Sequence, residues 1–136
     1  MGVMSWLRGV WNGYQTADVP QGNCWPVPNF GWGGEDALFP LGITWLSDAS
    51  SAACERYRVR SRHLFERHVR GDFGDISEEE RAGNEAGIGG GWEPIVSRYR
   101  IPVRDGDADA AMVTFVVQTS GEGDHVNTFL SFCGVE

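Results

Sequence analysis

Gly87-Ile88-Gly89-Gly90-Gly91-Trp92-Glu93-Pro94-Ile95-Val96-Ser97-Arg98-Tyr99-Arg100-Ile101-Pro102-Val103 is where the period of the chain changes. Before the glycines, apolar residues recur at helical spacing. After Pro94, Ile95, Ser97, Tyr99, Ile101 and Val103 alternate with Val96, Arg98 and Arg100, the period-2 pattern of a strand. Two further runs follow: Val113, Phe115 and Val117 share one face, then Val126, Thr128, Leu130 and Phe132. Asp105-Gly106 and Ser120-Gly121-Glu122-Gly123-Asp124 separate them as turns. The pattern predicts a three-stranded antiparallel β-meander, with Pro102 suiting an edge strand because it has no N–H to donate. Helices precede it, so the expected class is α+β.

Upstream, Ser77-Glu78-Glu79-Glu80 reads as a capping box opening a helix that runs to about Ala86. Leu64, Phe65, His68 and Val69 lie on one face of a helix from about Ser61 to Val69, with Arg62 and Glu66 placed to pair outside. Gly71 is a natural stop, and Asp72-Phe73-Gly74-Asp75 makes a tight turn. Ser47-Asp48-Ala49-Ser50 looks like a helix entry, leading through Ala52 to Tyr57, and Ile43 to Leu46 suits a short strand. The meander thus follows two or three short helices.

Residues 1–37 differ from the rest. Trp6, Trp11, Trp25 and Trp32 stand among seven glycines and three prolines, a density that predicts irregular structure. The expected organisation is a Trp/Gly/Pro-rich N-terminal extension over 1–37 packed on one α+β domain over 38–136. The tryptophans serve either as packing anchors or as an exposed platform for a carbohydrate or small ligand.

Charge excludes several functions. The 136 residues carry a net charge of −8, opposite in sign to a binder of the nucleic-acid backbone. All eleven basic residues are arginine. Without lysine there is no P-loop and no lysine Schiff base. The charge is also uneven: net −3 over 1–54, +4 over 55–70 and −9 over 71–136. The Arg56, Arg58, Arg60, Arg62 run could meet a phosphate or an acidic partner, or simply connect two helices in solvent. The acids of Asp72 to Glu85 and of Asp105, Asp107 and Asp109 could face a basic partner, or serve as caps and loop tips. Cys24, Cys54 and Cys133 fit neither a zinc module nor a disulfide framework, and no stretch has the order of a signal peptide. No run reaches the roughly 18 apolar residues of a span. A cytoplasmic protein without cofactor, metal, membrane or direct nucleic-acid contact is expected, and open strand edges would permit a homodimer.

The candidates for chemistry are His68, Asp72, Asp75 and Asn84. A histidine with two nearby carboxylates could move a proton or bind a divalent metal. His63 would lie about 140° round the helix from His68 and does not converge with it. The alternative is a buried His68 that holds the following turn, with Asn84 bonding that turn's backbone. No nucleophile motif accompanies them.

Phe39-Pro40-Leu41-Gly42, then Glu66-Arg67-His68-Val69-Arg70-Gly71-Asp72-Phe73-Gly74-Asp75, then Asn84, then Ile95-Val96-Ser97-Arg98-Tyr99 stand in an order that resembles a family of small bacterial proteins carried on plasmids and other mobile DNA. The family's hallmark is Arg-His-x-x-Gly-Asp-Trp-Gly, with Phe73 here in place of the tryptophan, and the likeness spans about Leu38 to Phe132. Gln118-Thr119 and Phe132-Cys133-Gly134 depart from the family's Thr-Glu strand and acid-rich end, and Arg104 to Ala111 is longer than its loops. The family has no established activity. The resemblance implies a mobile-element accessory protein. Joined to the acidic surface, it gives the expectation of a non-enzymatic protein that docks onto a host defence complex, of the anti-CRISPR or anti-restriction type. Binding would use Asp105, Asp107, Asp109, Glu78 and Glu79, with Trp11, Trp25 and Trp32 as anchors. The alternatives are an enzyme or metal protein centred on His68, Asp72 and Asp75, and an aromatic-platform ligand module.

Overall fold

The computed structural model describes residues 24–29, 31–90, 93–103, 112–121 and 125–135. In chain order the elements are β1 (Cys24–Val27), β2 (Ile43–Ser47), α1 (Asp48–Tyr57), α2 (Ser61–Val69), α3 (Glu78–Ile88), β3 (Ile95–Pro102), β4 (Met112–Ser120) and β5 (Asn127–Val135). The class is α+β, as the change of period implies.

The sheet has five strands in the order β1-β2-β5-β4-β3, and it is mixed. This corrects the expected three-stranded meander. β3, β4 and β5 do run antiparallel in succession, but β5 also pairs with β2 in parallel, Thr44 opposite Thr128 and Leu46 opposite Leu130. Local periodicity carries no information about that pairing, because its partners lie more than eighty positions apart. The second correction concerns residues 1–37. Cys24–Val27 form a strand antiparallel to β2 despite Pro26. Pro26 is tolerated because β1 lies at the sheet edge, where its missing N–H breaks no ladder. Thr44 fastens this strand by donating its hydroxyl to the Val27 carbonyl at 2.7 Å.

The helices form where their caps say they should. Ser47 accepts the Ser50 amide at the start of α1, and Ser77 and Glu80 exchange both bonds of a capping box at α3. α2 ends in a Schellman turn: the Asp72 amide reaches the Arg67 carbonyl at 2.9 Å and the Gly71 amide reaches His68 at 3.1 Å. Gly71 takes φ +90°, which a side chain would resist.

All three helices pack on the strands: α1 on β2 and β5, α2 on β3 and β4, α3 on β3. Phe65, Leu64 and Val69 of α2 are buried against Tyr99, Val113, Phe115, Val117 and Leu130. His68 is buried with them, so the four residues assigned to one helix face do lie inward. Trp32 stacks on Phe65 at 5.4 Å. Trp45 stacks on Phe129 at 5.9 Å, and its indole N–H donates to Asn127 Oδ1. No helix among the described residues is long and apolar enough to cross a membrane.

Candidate functional site

His68 ends the buried face of α2, and both its nitrogens are engaged. Nδ1 lies 2.6 Å from Ser97 Oγ on β3 and Nε2 lies 2.9 Å from Thr119 Oγ1 on β4. Thr119 lies 2.7 Å from Thr128 Oγ1 on β5, and Thr128 reaches the Leu41 carbonyl at 2.7 Å. The direction of this chain follows from its end. A carbonyl only accepts, so the Thr128 proton goes to Leu41. Thr128 therefore accepts from Thr119, whose own proton is then spent, and Thr119 accepts from His68. The imidazole is neutral with its proton on Nε2, and Nδ1 accepts from Ser97. Burial supports the same conclusion, because desolvation pushes the His68 pKa down to about 3. The His68 nitrogens thus reach β3 and β4 directly and β5 through Thr119, rather than the turn that follows, which corrects the expected contact, although the ring edge packs on Phe73 of that turn.

The turn is held by other groups. Arg67 donates from Nε and Nη2 to the two oxygens of Asp72, at 2.7 and 3.2 Å, and its guanidinium lies 4.4 Å over the Tyr99 ring. The hydrogen bond from Arg67 holds the Asp72 carboxyl below the ordinary range. Tyr99 donates its hydroxyl to the Asp72 carbonyl at 2.7 Å. Phe73 to Asp75 then lie along the outer edge of β3: Arg98 N–H donates to Phe73, and Asp75 N–H donates to Arg98. At Gly74, φ is +70° and a Cβ would stand 2.2 Å from the Arg98 carbonyl oxygen, so the close approach requires glycine.

Asn84 on α3 completes the same edge. Its amide donates to the Val96 carbonyl and accepts the Val96 N–H, both at 2.8 Å, so it imitates a neighbouring strand. It bonds β3 rather than the turn. Arg98 grips Glu80 with two nitrogens at 2.8 and 3.0 Å, which keeps the Glu80 carboxyl low. Replacing Asn84 by Ala is expected to cost about 2 kcal/mol, since two strand-edge groups lose their protein partner. Asn84→Asp should not restore it, because a carboxylate can accept from Val96 but cannot donate. Urea unfolding of the two variants checks this.

The four candidates for chemistry therefore cluster around the first half of β3. His68 is sealed, Asp72 is paired with Arg67, and Asn84 is bonded to Val96. Asp75 is exposed and joins the edge through its backbone. No group of three His, Cys, Asp or Glu side chains suited to a metal exists among the described residues. Of the binding candidates, Glu78 and Glu79 are exposed on the first turn of α3, and Trp25 is partly exposed on β1. Trp32 is half-buried and spends one ring face on Phe65. Trp11, Asp105, Asp107 and Asp109 lie outside the described residues, as does Trp6. Among the described residues Cys24 and Cys54 form no disulfide, and burial pushes the Cys54 thiol up to about 11. The roles of Ser97, Thr119 and Thr128 escape sequence reading, since small hydroxyl residues inside a strand look like ordinary β-formers.

No protein-family model, curated protein or solved structure matches this chain.

Proposed function

We propose that this protein acts by docking onto another protein and not by catalysis. It would serve as a small acidic accessory protein of the mobile-element kind that its central motif resembles, and would occupy a basic face of a nucleic-acid-handling defence complex. The observation that carries this reading is that His68, Asp72 and Asn84 are spent on holding α2, α3 and β3 together. The chemistry left at the surface is charge. Glu78, Glu79 and Glu85 are exposed on α3, whereas Glu80 is neutralised by Arg98. The final 66 residues hold thirteen acids against four arginines. Such a surface speeds encounter with a basic partner and selects against nucleic acid itself.

The test is capture of partners from the natural host with tagged protein at low and high salt. A basic nucleic-acid-handling complex, held at low salt and released at high salt, is the expected result. Glu78→Gln and Glu79→Gln, combined with Asp105→Asn, Asp107→Asn and Asp109→Asn, should then lower affinity for the purified complex about tenfold and flatten its salt dependence. A chain that retains no protein in stoichiometric amount overturns the proposal, as does a partner whose affinity ignores these five changes.

A further inference from the structure

The connection between α1 and α2 is three residues long, and its backbone is unusual. Arg58 takes φ 56° and ψ 44°, the only left-handed conformation at a non-glycine position among the described residues. A Cβ there crowds the neighbouring carbonyl oxygen, which is why glycine occupies the positive-φ positions at Gly71 and Gly74. Arg58 holds that conformation at the C-terminal end of α1, in a chain with nineteen glycines.

Arg58 lines a cleft of about 450 Å³ between the α1–α2 connection and the end of β3. Arg60, His63 and Arg67 line it too, with Leu64 and Ile101 as apolar wall, and no carboxylate lines it among the described residues. This is a concentration of positive charge in a protein of net charge −8. The arginines of the neighbouring sequence are otherwise occupied. Arg56 lies over the Tyr57 ring, Arg62 pairs with Glu66, and Arg67 pairs with Asp72. Arg58 and Arg60 are exposed and make no ion pair or side-chain hydrogen bond among the described residues.

We propose that this cleft binds a small phosphate monoester of mononucleotide size. The phosphate would lie against the guanidinium groups of Arg58 and Arg60, whose forked donors match its oxygens. The body of the ligand would lie on Leu64 and Ile101. Volume and mixed lining suit a small molecule. A longer polyanion would meet the acidic remainder of the surface and be repelled. The proposal does not rest on the docking reading, which uses acidic side chains and not these arginines.

The test titrates the whole protein with adenosine 5′-monophosphate, ribose 5-phosphate, inorganic phosphate and adenosine, following amide shifts by NMR and heat by calorimetry. The two esters are expected to bind with Kd below about 1 mM, to shift the Arg58, Arg60 and Leu64 amides, and to outcompete inorganic phosphate. Arg60→Ala and Arg58→Gly should each weaken the esters at least about tenfold. Arg58→Gly should do so with an unchanged or higher Tm, since glycine relieves the left-handed backbone. That separates lost binding from lost folding. Esters that leave these amides unmoved overturn the proposal. So does binding indifferent to both substitutions, or inorganic phosphate or adenosine binding as tightly as the esters.

Discussion

Acidification from pH 6.5 to pH 4.5 will lower the free energy of unfolding by about 3 kcal/mol, and His68 will account for most of it. In the unfolded chain its imidazole titrates at the ordinary value of 6.5. In the folded chain it stays neutral down to about 3, because a charged ring would be stranded among Ser97, Thr119, Phe39 and Phe73. Between those two values the unfolded state binds one proton more. Stability is complete above pH 6.5 and falls at about 1.4 kcal/mol per pH unit as pH drops towards 3. Asp72 and Glu80 act in the same sense but later. Their folded carboxyls lie below the ordinary range, so their contribution disappears only as pH falls through it, and solvent screens them. Urea titrations at pH 6.5, 5.5 and 4.5 measure the slope. His68→Gln should flatten it and cost about 2–4 kcal/mol at neutral pH, because Ser97 and Thr119 lose a buried partner. Imidazole ¹⁵N shifts should show the proton on Nε2 and no change at pH 4.5. A wild-type slope equal to that of the variant would place this ring in contact with water.

Gly42→Ala will unfold the protein more severely than any single exposed substitution, by about 4 kcal/mol. Gly42 has φ +63°, and a Cβ would stand 1.9 Å from the Val126 carbonyl oxygen and 2.4 Å from its carbon. Backbone cannot rotate away as a side chain can. The neighbouring Ile43 amide bonds that same carbonyl at 3.1 Å, at the point where β2 meets β5. Relief of the clash therefore means parting the two halves of the sheet. Gly42→Asn should be equally damaging, although asparagine tolerates a left-handed backbone. Gly34→Asn should be near neutral, because Gly34 has φ +55° with nothing within 4 Å of a Cβ. Equal tolerance of asparagine at both positions would show that backbone conformation, and not the approach of Val126, controls the site.

What could be read from the sequence was local. Ser47 and Ser77 announce their helices, Leu64, Phe65, His68 and Val69 announce a buried face, and Ile95 to Val103 announces a strand. Each signal lies within one turn or one strand of the structure it specifies. β1 was hidden because Pro26 and nearby glycines argue against a strand, and only its edge position makes the proline harmless. The β2–β5 pairing was hidden because no residue in either strand names its partner. At the site, residue types gave the right cluster and an ambiguous role. Residue types alone do not show that hydroxyls of β3 and β4 occupy both nitrogens of His68. The arginine run was equally ambiguous, since spacing does not reveal that Arg56 and Arg62 find partners among the described residues and Arg58 and Arg60 do not.

β5, the last of the described strands, lies at the centre of the sheet between β2 and β4. Trp45 finds Asn127 across 82 positions of sequence. Neither β1 with β2 nor β3 with β4 can complete its hydrogen bonding until that strand arrives. Folding is therefore governed by one long loop closure whose entropy must be lost before central contacts repay it. The chain should fold slowly for its size, in a single cooperative step, with hairpin β3–β4 and its helices forming early and the β2–β5 ladder forming last. Substitutions in that ladder should then act mainly on the unfolding rate, and those in the hairpin on the folding rate.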